Sequence, residues 1–216
     1  MKVQHILPED IEQTSMDVIS RELCERGIVL PEEQAAIVKR VIHTTADFDF
    51  AQNLYFTPGA VSSGMAALRN GAAVITDTNM AKAGINKSAL TKLGGQVFCF
   101  MADDDVAQTA KERGVTRAVA AMEKAVRQYP GAVYAIGNAP TALLRMVELI
   151  EEGLRPALVI GVPVGFVNVM ESKERALAIC WENGVPAILA MGRKGGSTVV
   201  AAISNAMLYQ AAGMKG

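Results

Sequence analysis

The stretch AVYAIGNAPTALLRMVELIEE, residues 132–152, decides the fold. Its opening run AVYAIGN (132–138) is apolar on both faces, and a helical candidate over 140–152 follows at once. A strand that is apolar on both sides belongs in a sheet covered above and below, which is the habit of parallel sheets. Working outward, the same unit recurs. AAVITD (72–77) and QVFCFM (96–101) precede it, and PALVIGV (156–162) and PAILAMG (186–192) follow it. Helical segments fall between them at about 79–84, 104–128 with a break near Gly114, 172–183 and 197–212. Repeated β–α alternation implies right-handed crossovers. The expectation is an α/β fold: a single doubly wound domain with a mainly parallel five-stranded sheet, helices on both faces and a helical N-terminal segment.

That segment comprises PEDIEQTSMDVISRELCERG (8–27) and PEEQAAIVKRVIHTTA (31–46). Each opens on proline with acids in the first turn, and Gly27 stops the first. NLYFTPGAV (53–61) reads as an irregular lead into a helix from about Ala60 to Asn70, which Gly71 ends. With no repeat, low-complexity tract or linker, residues 1–216 read as one domain, helices of about 8–46 packing on an α/β core of about 60–212.

Composition narrows the function. Half the residues are hydrophobic but only 5% are aromatic, so Ala, Val, Ile, Leu and eleven Met must build the core. The 21 basic residues balance 22 acidic ones with no basic stripe, which argues against a nucleic-acid partner. Cys24, Cys99 and Cys180 are scattered without a CxxC, and there are two histidines, so free cytosolic thiols and no protein-built metal site are expected. No leader pattern opens the chain and no apolar run approaches the roughly 20 residues that span a bilayer. A soluble, cytoplasmic protein without a membrane partner is the expectation.

In an open parallel sheet, ligands bind beyond the carboxyl ends of the strands. The turns there are Thr76–Asn79, Ala102–Asp104, Gly137–Thr141, Gly161–Phe166 and Gly192–Thr198. Glycine admits close backbone approach, and N–H groups at the following helix start favour anions. Asn138, Arg193, Gly195, Gly196 and Ser197 are therefore candidate ligand-binding residues, although βα turns call for such residues on their own account. Neither GVPVGF nor GRKGGST has the spacing of a dinucleotide or P-loop fingerprint, which argues against a nucleotide-dependent oxidoreductase. Lys194 reads as a solvated turn residue or as a second cation for an acid group. Asp103, Asp104 and Asp105 stand where a strand gives way to a helix, a capping position, and Asp47 with Asp49 makes a weak carboxylate pair.

Counting about 100° per residue sets Ile37, Val38, Val41, Ile42 and Thr45 on one side of their helix and Arg40, His43 and Asp47 on the other. The three polar side chains are expected on one ridge. The helix alone is compatible with a solvated face. An imidazole is also the side chain best suited to move a proton near neutral pH. His5, in the unpatterned N-terminus, has a weak case.

IVKRVIHTTADFD, FTPGAVSSGMAALRNGAAVITDTNM, AIGNAPTALLRMVELI, VIGVPVGFVNVMESKERAL and AMGRKGGSTVVAAISNA, in order between about residues 11 and 207, resemble successive blocks of the precorrin-8X methylmutases of cobalamin biosynthesis. The resemblance implies an isomerase that moves a methyl group between neighbouring carbons of ring C of a corrinoid. It would convert precorrin-8 to hydrogenobyrinate, or the cobalt form to cobyrinate, with no external methyl donor and no cofactor beyond cobalt carried in the substrate. It implies a homodimer with active sites at the subunit interface, His43 as proton donor or acceptor, and substrate contacts at Ser15, Arg40 and Arg117. The alternative from another class is a corrinoid carrier on the same scaffold that binds without catalysing.

Overall fold

The computed structural model describes residues 10–214; His5, Pro8 and Glu9 lie outside them. In chain order the elements are α1 (Ile11–Glu25), α2 (Glu32–Thr45), α3 (Phe50–Asn53), β1 (Leu54–Phe56), α4 (Ala60–Arg69), β2 (Val74–Thr76), α5 (Asn79–Gly84), α6 (Lys87–Lys92), β3 (Val97–Phe98), α7 (Asp104–Arg113), α8 (Arg117–Gln128), β4 (Val133–Ile136), α9 (Pro140–Glu151), β5 (Leu158–Gly161), α10 (Val169–Glu182), β6 (Ala187–Ala190) and α11 (Ser197–Ala211). The sheet runs β1-β6-β5-β4-β2-β3. All pairings are parallel except β1 with β6, where Leu54 meets Ala190 in antiparallel register.

The α/β, doubly wound reading holds, with one correction. Among the described residues the sheet has six strands rather than five, because the lead into α4 contains β1. Three residues at a sheet edge, with Leu54 buried and Tyr55 exposed, are too few to display a period. The short helices α3 and α6 also escape a periodicity reading. Gly27, Gly71 and Gly114 all adopt positive φ at their helix ends, as their positions predict.

Strand residues alternate between two cores. Val133, Ala135, Leu158, Ile160, Ile188 and Ala190 face one, with α1, α2, α4, α5, α6 and α11. Tyr134, Ile136, Val159, Ala187 and Leu189 face the other, with α7, α8, α9 and α10. The antiparallel β1 has a positional consequence. It starts where β6 ends, Met191 donating its N–H to the Asn53 carbonyl at 2.7 Å, so the chain leaving α2 arrives at the carboxyl edge of the sheet. The C-terminal turn of α2 therefore stands beside the strand-end turns. No helix among the described residues is long and apolar enough to cross a membrane.

Candidate functional site

His43 lies in the last turn of α2 and is exposed. It opens onto a cleft of about 550 Å³ between α1 and α2, whose walls include Ser15, Val18, Glu22, Arg26 and Phe48. His43 and Ser15 thus share one cavity, although they are far apart in sequence. The Arg26 guanidinium stacks 4.0 Å over the Phe48 ring, and its charge faces the Glu22 carboxylate at 3.4 Å. Ser15 Oγ donates to the Ile11 carbonyl one turn earlier, at 2.9 Å.

The expected ridge of Arg40, His43 and Asp47 does not form. The helix stops at Thr45, Ala46 turns left-handed at φ 54°, and Asp47 swings away from the imidazole. Lys194 Nζ donates instead to Asp47 Oδ2 and Asp49 Oδ2, at 2.6 Å each. The hydrogen bond from Lys194 holds the Asp47 carboxyl below the usual range, and the two carboxylates raise Lys194 in turn. Arg40 leans the other way, donating to Glu12 Oε1 at 2.5 Å and lying 4.9 Å from the centre of the Tyr209 ring. With Thr44 it borders a second cleft of about 310 Å³, shared with Met80, Ser197, Thr198 and Asn205. The end of α2 thus separates two clefts, one holding His43 and Ser15, the other Arg40 and Ser197.

The strand-end turns are more committed than their composition suggests. Asp77, buried after β2, accepts N–H groups from Gly137 (2.8 Å), Asn138 (2.7 Å) and Ala139 (2.7 Å). Burial pushes this carboxyl up while the three donors pull it back. The turn leading into α9 therefore gives three N–H groups to the chain's own carboxylate, while Asn138 itself stays exposed. Gly195 presses against β5's exit so closely that a Cβ would lie 2.1 Å from the Val162 carbonyl oxygen, and Gly196 donates to that oxygen at 2.9 Å. Ser197 Oγ lies 2.8 Å from Thr78 Oγ1 across the sheet. Arg193 sits 5.5 Å over the ring of Phe166, itself 84% exposed.

Arg117 stands apart. It opens α8, whose Thr116 cap bonds Thr141 of α9 at 3.1 Å, so it shares the carboxyl edge but belongs to the layer on the far side of the sheet from α2. The acid run is not the side-chain cap expected of it. Asp103 makes no capping bond, and Lys124 of α8 donates to Asp103 and Asp105, at 2.7 Å each. Among the described residues no group of three or more His, Cys, Asp and Glu is arranged to hold a metal ion.

One residue was missed altogether. Lys173 of α10 is fully buried, and its ammonium donates to the carbonyls of Gly192 and Lys194 at 2.8 Å each. A signal existed: Lys173 interrupts the buried stripe Val169, Ala176 and Cys180 at helical spacing.

A family model described as precorrin-8X methylmutase matches residues 10–210 of this chain. The chain belongs to the precorrin-8X methylmutase family. Among proteins similar to this member of the family, the cobalt-precorrin-8 methylmutase of Priestia megaterium is 43% identical over 203 residues, covering 94% of this chain and 88% of that one. The protein of the same name from Salmonella typhimurium is 44% identical over 206 residues, covering 94% and 95%. The crystal structure of a precorrin-8X methyl mutase from Thermus thermophilus superposes with a TM-score of 0.83 at 39% identity, covering 94% of this methylmutase-family chain and 98% of that one. Family and fold therefore agree on a methylmutase, an enzyme of the isomerase class.

Proposed function

We propose that this chain catalyses methyl migration within ring C of a corrinoid, converting precorrin-8 or its cobalt complex to hydrogenobyrinate or cobyrinate, with His43 as the proton donor and acceptor. The observation that carries the reading is the shared cleft: His43 and Ser15 open into one cavity of about 550 Å³ with apolar walls and a guanidinium at its rim. Substrate and product are isomers, so any proton that His43 delivers while the methyl moves must be balanced by one it takes back. An imidazole does both near neutral pH and ends the cycle unchanged. Any cobalt travels inside the macrocycle, with ligands from the ring, and the chain supplies no cofactor of its own.

The substrate is a large disc ringed with carboxylates, which calls for apolar walls and a few cations at the edge. Arg40, Arg193 and Arg117 are the proposed carboxylate partners, with Ser15, Asn138, Gly195, Gly196 and Ser197 as polar contacts. Arg40 would exchange Glu12 for substrate, a small step for an acid that is half exposed. Arg117, on the far layer, serves this reading as a residue lent to a second copy's site in a homodimer. The N-terminal helices and the α/β core would act as one unit, since the His43 cleft is built by the former and the Arg40 cleft by both.

The test is His43→Ala assayed with the corrinoid substrate, followed by its visible spectrum. Conversion is expected to fall roughly 100-fold or more, while the variant still binds the product corrinoid as wild type does. Conversion at the wild-type rate would overturn the assignment.

A further inference from the structure

The end of α2 is tied to the loop between β6 and α11, and that loop is tied from beneath to α10. Lys173 has no carboxylate partner among the described residues. A buried ammonium is costly, and here both of its bonds go to one short piece of backbone, the carbonyls of Gly192 and Lys194. That piece leads directly into Gly195 and Gly196, the latter at φ 126°. Glycines have the greatest conformational freedom to lose, so a loop built on them holds a shape only when anchored from outside. On the outer side, the Lys194 side chain reaches Asp47 and Asp49 together. The two carboxylates are already arranged for it, because the Asp49 N–H donates to Asp47 Oδ1 at 3.0 Å.

We propose that Lys194, clasping Asp47 and Asp49, and Lys173, pinning the loop from inside, are positioning residues that fix the His43-bearing turn of α2 against the glycine loop leading to Ser197. The inference rests on the reading of His43 as the proton-transfer residue. The clasp acts one turn beyond the imidazole, across the left-handed Ala46. Its members are half-exposed or exposed, and ion pairs of that kind contribute little to stability. Their effect is on placement. A displacement of about 1 Å at a reacting group costs on the order of 100-fold in rate even when its cause lies away from the chemistry.

The decisive variants are Lys194→Met and the pair Asp47→Asn with Asp49→Asn. Each is expected to lower kcat by roughly 10- to 100-fold, a larger change than any rise in KM for the corrinoid, with the thermal midpoint near wild type, and combining them should lower kcat no further. Lys194→Arg restores most of the rate, and Lys173→Met repeats the kcat loss if it folds. The proton NMR signal of the His43 ring, assigned by its loss in His43→Ala, is expected to shift in Lys194→Met without any substrate present. Wild-type kcat in Lys194→Met, a loss confined to KM, or an unmoved ring signal overturns the clasp. His43→Ala assayed in parallel separates the two readings: an inactive His43→Ala beside a fully active Lys194→Met removes the clasp alone, whereas an active His43→Ala removes the reading beneath it.

Discussion

Burial lowers the Lys173 ammonium from 10.5 to about 8. Its folded pKa is below its unfolded one, so between these values the unfolded chain holds more protons, and stability rises with pH across that window. Below about 8 the charged amine is buried at full cost; above about 10.5 the difference has been recovered. Cys180, which burial pushes up to about 12, works in the opposite sense over part of the same range, so the comparison must be made against Lys173→Met. The stability of wild type relative to that variant is expected to increase by about 2.5 kcal/mol between neutral pH and about pH 10, read from urea unfolding at both. The two carbonyls left unpaired in the variant shift the difference by a constant and leave its slope intact. A pH-independent difference would mean that the amine is not desolvated. Residues of this kind are hard to see in a sequence. His43 stood out because histidine is rare here, but Lys173 looks like any helix lysine until its neighbours on the stripe prove buried. Asp47 misled for a related reason: helical counting assumes that the helix continues, and Ala46 ends it.

At the scale of the element, the antiparallel edge delivers the end of α2 to the site, and Thr57 closes it. Its N–H donates to the Ala187 carbonyl at 3.0 Å and its Oγ1 accepts the Ala187 N–H at 2.7 Å, both within the buried interior. Thr57→Val keeps the shape and removes the acceptor. The stranded N–H is expected to cost about 1–3 kcal/mol, which at this chain length lowers the melting temperature by about 2–4 °C for each kcal/mol. Thermal unfolding checks it, and an unchanged midpoint would mean that the bond is replaced by another. The strands β2, β4, β5 and β6 were legible because each is buried on both faces, as AVYAIGN and PALVIGV already read. β1 was not, since its apolar run, Leu54 to Phe56, is only three residues long, against runs of six or seven residues around the other strands. The turns were legible as turns but not as bonded structures. That Asp77 takes the N–H groups of the turn leading into α9 depends on β2 and β4 being neighbours, and sixty residues separate the two partners in the chain.

For the molecule as a whole, the relation that bears on the site is between Arg117 and His43. Both stand at the carboxyl edge, but α2 and α8 cover opposite faces of the sheet, and Arg117 lines neither the His43 cleft nor the Arg40 cleft. The chain's own fold thus offers the imidazole no help from Arg117. In the proposed homodimer a two-fold axis would bring one copy's Arg117 to its partner's His43, and by the same symmetry the reverse. The arrangement has a quantitative signature. His43→Ala and Arg117→Ala homodimers each lack a necessary group at both sites. In a heterodimer of the two, one site combines both substitutions and the other combines neither. Equal mixing with free exchange makes half of the dimers heterodimers, so activity is expected to recover to about a quarter of wild type. Sedimentation must first give twice the chain mass, and differently tagged chains must be recovered together. Co-purified heterodimers that stay inactive would confine each site to one chain, with Arg117 and His43 then both required within the same chain.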